Sequence, residues 1–458
     1  MRVPLPLSAL AAAARAAGAL SRVAGAGGGT TIPGKLLWKL DPGAVSKLAR
    51  RLPKGTAVLS ATNGKTTTAA MAASILEPGV RLAHNSAGAN LVSGVASTLL
   101  ASDGAELGLF EVDEAALPEV ARLVRPRVLC LSNLFRDQLD RYGELETIAE
   151  RWRELVRDLP PEARLGVNGD DPQIGALADE RVGTVVFGVD DPTQGRRGGL
   201  QHAADSRHCI RCGAPYTFHA AYVGHLGDYE CPACGHRRPP LELAAREIEL
   251  HGLEGASFDL RTGEWTRRVR LRLPGLYNVY NAHAAAAQAR ALGASPDEIV
   301  AGLERFAAAF GRFERIVVGD KGLLMLLIKN PAGANEAVRT LVTGGAPRLA
   351  LVALNDAIAD GKDVSWIWDV DFEPLLDGLE RVVVTVDRAA ELALRFKYAG
   401  FDPHAIEVLP ELERGLDRAL ALTPSDGELV VLPTYTAMLA LRRIVSRRGH
   451  VADYWRAA

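Results

Sequence analysis

From residue 56 onward, short apolar runs alternate with stretches long enough for helices, and the runs end in small polar residues. Apolar runs bounded by turn residues predict buried strands. The first run ends at Val58-Leu59. It passes into Ser60-Ala61-Thr62-Asn63-Gly64-Lys65-Thr66-Thr67-Thr68, followed by helix-compatible residues 69–76. Further runs lie at 107–112, 127–131, 165–167 and 184–187. Strands alternating with helices predict a mostly parallel sheet covered on both faces. Polar residues at the carboxyl ends of such strands gather in one crevice. That crevice would collect Glu111, Asp113, Asn133 and Asn168.

The pattern breaks over 191–240, where Gly, Arg, His, Cys and Pro dominate. β-like text returns at 247–273, and helices are predicted over 276–292 and 296–310. A second α/β unit begins near Phe313. Its predicted strands are 323–328, 349–354, 381–386 and 429–432, and its helices 334–343, 389–398, 412–422 and 435–447. Before the first unit, 33–52 reads as a helical arm and 1–29 as an amphipathic helix. The expected division is an N-terminal arm (1–50), a larger α/β unit with an insertion at about 200–240 (51–312), and a smaller α/β unit (313–458).

Composition narrows the class. A length of 458 residues calls for two or three domains, and 48% hydrophobic with 24% charged residues is ordinary for a globular chain. The formal net charge of -2 gives no electrostatic footprint for nucleic acid. No run of eighteen strongly apolar residues is present, so no membrane-spanning helix is expected.

Four of the five cysteines form Cys209-x-x-Cys212 and Cys231-x-x-Cys234, each pair followed by Gly213 or Gly235. Four thiolates so spaced suit a closed tetrahedral Zn²⁺ site. Such a site is structural, and the ion would supply folding energy that this polar segment lacks. Cys130, alone in a strand, reads as a small buried hydrophobe.

The strand, turn and helix around Gly64-Lys65-Thr66 have the order of an ATP site, although Leu59 stands where a full phosphate loop has glycine. Backbone N–H groups from Thr62, Asn63, Gly64 and Thr67 would face phosphates. Lys65 would reach the outer phosphate oxygens, and Thr66 would bind Mg²⁺. Glu111, at a neighbouring strand end, suits the same ion. Asn278 and Asn281 share a helix face and could meet a purine edge or cap the helix. Arg312, at the joint between the two units, could sit on phosphates. The stretch 355–369 carries four aspartates and ends in Trp366 and Trp368. It reads as an interface or active-site loop, and a carboxylate there could orient a catalytic histidine. No convincing Ser or Cys nucleophile accompanies it, so a triad would need a partner chain.

The 61–67 turn, Glu111, Asn278/Asn281 and Gly311-Arg312-Phe313-Glu314 together resemble the Mur ligase family over roughly residues 45–440. Ala61 stands where these loops usually have glycine. The four-cysteine insertion, the 360–369 loop and the short N-terminal arm resemble the ligase-like subunits of that family that work with a GatD-like glutamine amidotransferase. The resemblance implies an ATP- and Mg²⁺-dependent ligase. It would activate the D-glutamate α-carboxylate of the lipid II stem peptide for amidation by ammonia from the partner. It implies Lys65 and Thr66 on phosphate and Mg²⁺, Glu111 on Mg²⁺, Asn281 near adenine and Arg312 on ATP. Asp363 or Asp369 would complete the partner's triad. A cytoplasmic chain is expected, with peripheral contact at the inner face of the plasma membrane left open. The competing readings are an independent amino-acid ligase, a nucleic-acid-binding ATPase and a noncatalytic scaffold.

Overall fold

The computed structural model describes residues 10, 14–16, 31–86, 88–137, 145–196, 199–200, 204–307 and 313–451. Arg312 lies outside them. Two large sheets carry the chain. The first is built from β1 (Thr56–Ser60), β2 (Leu82–His84), β3 (Leu107–Glu111), β4 (Val128–Leu131), β5 (Arg164–Asn168), β6 (Val185–Val189), β9 (Leu243–Leu250), β10 (Ala256–Arg261) and β11 (Thr266–Leu271). Their spatial order is β11-β10-β9-β6-β5-β4-β1-β3-β2. All neighbours from β2 to β9 run parallel, and β10 and β11 close the far edge antiparallel.

Every residue of β1 is buried, as a strand covered on both faces requires. Its side chains alternate between two cores. Leu59 packs with Leu109, Cys130 and the alanine-rich helix Leu276–Ala291 on one face. Val58 packs with Phe110, Leu129 and Trp152 on the other. Alanine on the 276–291 helix permits close approach, and fourteen of its residues are buried. The helix Pro296–Arg305 backs the helix Lys65–Leu76 just as tightly: a Cβ on Gly302 would lie 2.4 Å from Ile75 Cα.

The second sheet contains β12 (Phe313–Val318), β13 (Lys321–Leu326), β14 (Leu349–Ala353), β15 (Arg381–Thr385), β16 (Ile406–Leu409) and β17 (Glu428–Pro433), ordered β12-β13-β17-β14-β15-β16. It is parallel apart from the β12–β13 hairpin. β7 (Thr217–Val223) and β8 (Leu226–Glu230) form a separate hairpin within the cysteine segment.

The sequence pattern and the structure differ at identifiable places. The arm predicted over 33–52 is two helices, Ile32–Leu40 and Ala44–Ala49, because Asp41-Pro42-Gly43 interrupts it. β16 has three partly exposed side chains and one exposed one, so its apolar signal is weak and the sequence pattern passes over it. Among the described residues, no helix is long and apolar enough to cross a membrane.

Gly302→Ala is expected to push the two packed helices apart. It should lower the unfolding free energy by about 1–3 kcal/mol in a urea titration.

Candidate functional site

The turn after β1 is held by the strand end beside it. The Thr62 N–H donates to Asn133 O at 2.9 Å and the Asn63 N–H to Asn133 Oδ1 at 2.9 Å. Asn133 Nδ2 returns a bond to Asn63 O, and the Phe135 N–H donates to Thr62 Oγ1. Gly64 follows with φ +85°, a left-handed conformation that favours glycine. A Cβ there would also lie 1.9 Å from Asn281 Oδ1. Turn and helix therefore meet at a point where only glycine fits.

Lys65 opens the next helix and folds back over the turn. Its Nζ donates to Ala61 O at 2.5 Å and pairs with Glu114 Oε2 at 2.6 Å; both side chains are under a tenth exposed. Burial alone would lower the lysine's pKa, but Glu114 and Asp113 carry it above its ordinary value. Burial would raise the Glu114 carboxyl's pKa, but Lys65 and Lys329 hold it below the usual range. Both directions favour the ionised pair. The sequence assigned Lys65 to phosphate, with Glu111 across the same crevice; in this structure the Lys65 ammonium contacts Ala61, Thr62 and Glu114. Glu114 lies in the turn after β3, and Trp152 Nε1 anchors its backbone oxygen at 3.0 Å.

Glu111 is buried at the end of β3, in register with Leu59 of β1. Asn85 clasps its backbone with bonds of 2.8 and 3.0 Å. A Cβ on Gly88 would lie 3.6 Å from Glu111 Oε1. Thr66 and Thr67 occupy the first turn of the Lys65 helix. Glu111 and Thr66 are oxygen donors of the kind that hold Mg²⁺.

Asn278 and Asn281 border the cleft but are also tied into the scaffold. Asn278 Nδ2 donates to Pro274 O at 2.7 Å, Asn281 Nδ2 to Asn278 Oδ1 at 3.0 Å, and Thr68 Oγ1 to Asn281 Oδ1 at 3.3 Å. They lock the Leu276–Ala291 helix to the turn.

The second sheet contributes residues that the sequence reading missed. Asn330 caps the helix Pro331–Thr343 and exchanges two amide hydrogen bonds with Asn63, at 3.0 and 3.2 Å. Lys329 donates to Thr62 O at 3.0 Å and pairs with Asp137. An Asn-Pro step after a strand is a helix-start signal and could have marked this segment. Between the two sheets lies a largely apolar cleft of about 970 Å³, counting its open mouth. Its lining includes Phe135, Leu226, Tyr277 and Phe313 together with Asn63, Gly64 and Thr67.

Lys329 also borders a second pocket, with Arg136, Asp137, Asp363, Trp366 and Asp369. Asp363 accepts the Ser365 N–H at 2.8 Å, and Asp369, partly exposed, stands 3.5 Å from Arg136. Asp360 is pinned by the Thr436 N–H and hydroxyl. The two tryptophans have different surroundings. Trp366 packs on a core of the second sheet, and Trp368 is exposed beside Tyr398.

Cys209, Cys212, Cys231 and Cys234 bring their sulfurs within 4.8 Å of one another. The Cys209–Cys234 and Cys212–Cys231 separations are 3.5 Å. A tetrahedral ion with bonds near 2.3 Å needs sulfurs about 3.8 Å apart, so the set fits a metal. Burial opposes ionisation of Cys209, but the N–H groups of Arg211 and Cys212 bring its thiol down to about 6.

The Mur ligase middle domain model matches residues 60–229, and the MurT ligase C-terminal model matches 327–438. The chain is 32% identical over 429 residues to "Lipid II isoglutaminyl synthase (glutamine-hydrolyzing) subunit MurT" of Streptococcus pneumoniae, covering 92% of this chain and 93% of that one. It is 30% identical to the protein of the same name from Staphylococcus aureus, with the same coverage. Among solved structures it is similar to a pseudomurein peptide ligase type C from Methanothermus fervidus. That match has a TM-score of 0.69 at 22% identity and covers 88% of this chain and 80% of that one. It is also similar to a MurF ligase from Thermotoga maritima in complex with ADP, with a TM-score of 0.64 at 16% identity, covering 90% and 83%. The fold is the α/β fold of the Mur ligases.

Metal analysis of the purified chain is expected to give about one zinc ion per molecule. Cys231→Ser should lose it and expose the amides of β7 and β8 to rapid hydrogen exchange.

Proposed function

The chain belongs to the MurT family, and from that premise we propose that it is the ATP-dependent ligase subunit of a lipid II isoglutaminyl synthase. In this reading it converts the α-carboxylate of the stem-peptide D-glutamate to an acyl phosphate. Ammonia, released from glutamine by a GatD-like amidotransferase partner, then gives D-isoglutamine. The observation that carries the reading is the glycine–lysine turn, held by Asn133 and Asn330, whose residues Asn63 and Gly64 line the cleft between the two sheets.

Phosphate groups at this turn would take the N–H groups that open the Lys65–Leu76 helix. They would also share the Lys65 ammonium with Glu114, so that neither buried charge is left unpaired. Thr66 and Glu111 would hold Mg²⁺, which neutralises charge developing on the transferred phosphoryl group. A carboxylate oxygen of the stem peptide bonds to the γ-phosphorus as ADP leaves. Ammonia then bonds to the carbonyl carbon, phosphate departs and a proton passes to solvent. Arg136 and Lys329, on the second pocket, are the cations available to orient an anionic acceptor. Asn278 and Asn281 would border the nucleoside, with Arg312 assigned to phosphate by the family resemblance alone. The four cysteines would hold a structural Zn²⁺.

Of the two aspartates offered to the partner's triad, Asp369 is favoured. Asp363 is engaged with the Ser365 N–H, whereas Asp369 is held by a long contact to Arg136. The lipid-linked substrate calls for work at the inner face of the membrane.

The test is amidation of lipid II by the chain together with its glutaminase partner. Lys65→Ala should reduce ATP-dependent amidation by at least about 100-fold; undiminished amidation would make the chain a scaffold. Turnover stimulated by an amino acid without ammonia or glutamine would make it an independent ligase. Asp369→Asn should reduce glutamine-dependent amidation while leaving the ammonia-supported reaction intact.

A further inference from the structure

The helix Pro331–Thr343 lies with one face on its own sheet, through Ala334, Val338 and Leu341. Residues of another face meet the first unit. A Cβ on Gly333 would lie 3.9 Å from Asn63 Oδ1, and Thr340 Oγ1 would be 2.6 Å from a Cβ on Gly275. Glu336 sits between these contacts and borders the cleft.

Its side chain is unusual for that position. Glu336 is 2% exposed, and neither carboxylate oxygen has a hydrogen-bond partner among the described residues. It is also the one acidic residue among those bordering the cleft, counted over the described residues. The two nearby arginines are committed elsewhere. Arg339 donates to Tyr222 O and Gln194 O at 2.9 and 3.1 Å, and Arg196 leans toward Asp371 at 3.7 Å. A buried carboxyl without partners is costly, so its retention calls for a ligand that supplies donors.

We propose that Glu336 binds the ribose of the nucleotide, its two carboxylate oxygens taking the 2′- and 3′-hydroxyls. The inference rests on the nucleotide reading of the cleft given above. Position and chemistry carry it. Gly333 touches the end of the cleft assigned to phosphates, and Glu336 lies about one helical turn, roughly 5 Å, farther along. The sugar is the part of a nucleotide that follows the phosphates. A vicinal diol offers two O–H donors at a spacing that suits the two oxygens of one carboxyl group. Burial raises the Glu336 pKa while Arg339 and Arg196 pull it down. Either ionisation state can take a diol, because hydroxyls both donate and accept.

The experiment is equilibrium binding of MgATP, Mg-2′-deoxy-ATP and the Mg²⁺ complex of purine riboside triphosphate to the full chain and to Glu336→Met and Glu336→Ala. The wild type should bind ATP about 10- to 100-fold more tightly than 2′-deoxy-ATP. Both variants should bring that ratio close to unity, and Glu336→Met should unfold at a higher temperature than wild type because an unpaired buried acid is gone. A folded variant that keeps the wild-type ratio overturns the proposal. So does a variant that instead loses discrimination against purine riboside triphosphate, which lacks the adenine amine. A wild type that binds ATP and 2′-deoxy-ATP equally refutes the ribose assignment alone. A wild type that binds no nucleotide refutes the nucleotide reading itself.

Discussion

The buried ion pair between Lys65 and Glu114 is the constraint around which the site is organised. Each charge lies in the interior, where solvation is lost, and each is retained because the other is 2.6 Å away. Removing one partner of such a pair typically costs roughly 3–5 kcal/mol, because the survivor is left uncompensated. The chain supports the pair on every side. Trp152 fixes the Glu114 backbone, the Ala61 carbonyl takes a lysine proton, and Lys329 adds positive charge from the second sheet. An anion arriving at the turn meets a lysine that is charged and restrained, so less ordering remains for binding to supply.

That restraint continues across the interface between the sheets. Asn63 and Asn330 exchange amide hydrogen bonds, so the turn belongs to both units. Lys329, beside Asn330, borders both the apolar cleft and the aspartate-lined pocket. The two cavities therefore adjoin at Lys329. In a reaction that makes an acyl phosphate and then aminates it, the nucleotide would occupy one cavity and the nitrogen donor would approach from the other. Arg136, three residues after Asn133, pairs with Asp205 and stands 3.5 Å from Asp369 in the second pocket.

The cysteine segment supports the same architecture from outside. Its hairpin places Val223 and Leu226 on the cleft wall. His225, at the hairpin turn, is fully buried 3.4 Å from Asp171, whose other contacts reach the Leu134 backbone. A metal at the four thiolates would brace a wall of the cleft rather than take part in its chemistry.

Local chemistry was legible along the chain. A buried strand, a turn needing glycine at residue 64 and a lysine opening a helix are set by neighbours in sequence, and so is the paired Cys-x-x-Cys spacing. The polar strand ends that would line one crevice follow from the alternation of strands and helices. The partners of those groups were not legible. Lys65 was assigned to phosphate with no protein partner, because only the path of the turn after β3 brings Glu114 to it. Asn330 is 267 positions from Asn63 and Glu336 lies farther along the same helix, so no local pattern joins them to the turn. The sequence alone determined which residues could carry the chemistry, because turn geometry and burial pattern are short-range properties. Tertiary structure alone decided which of them face one another, because that depends on how two separately built sheets pack.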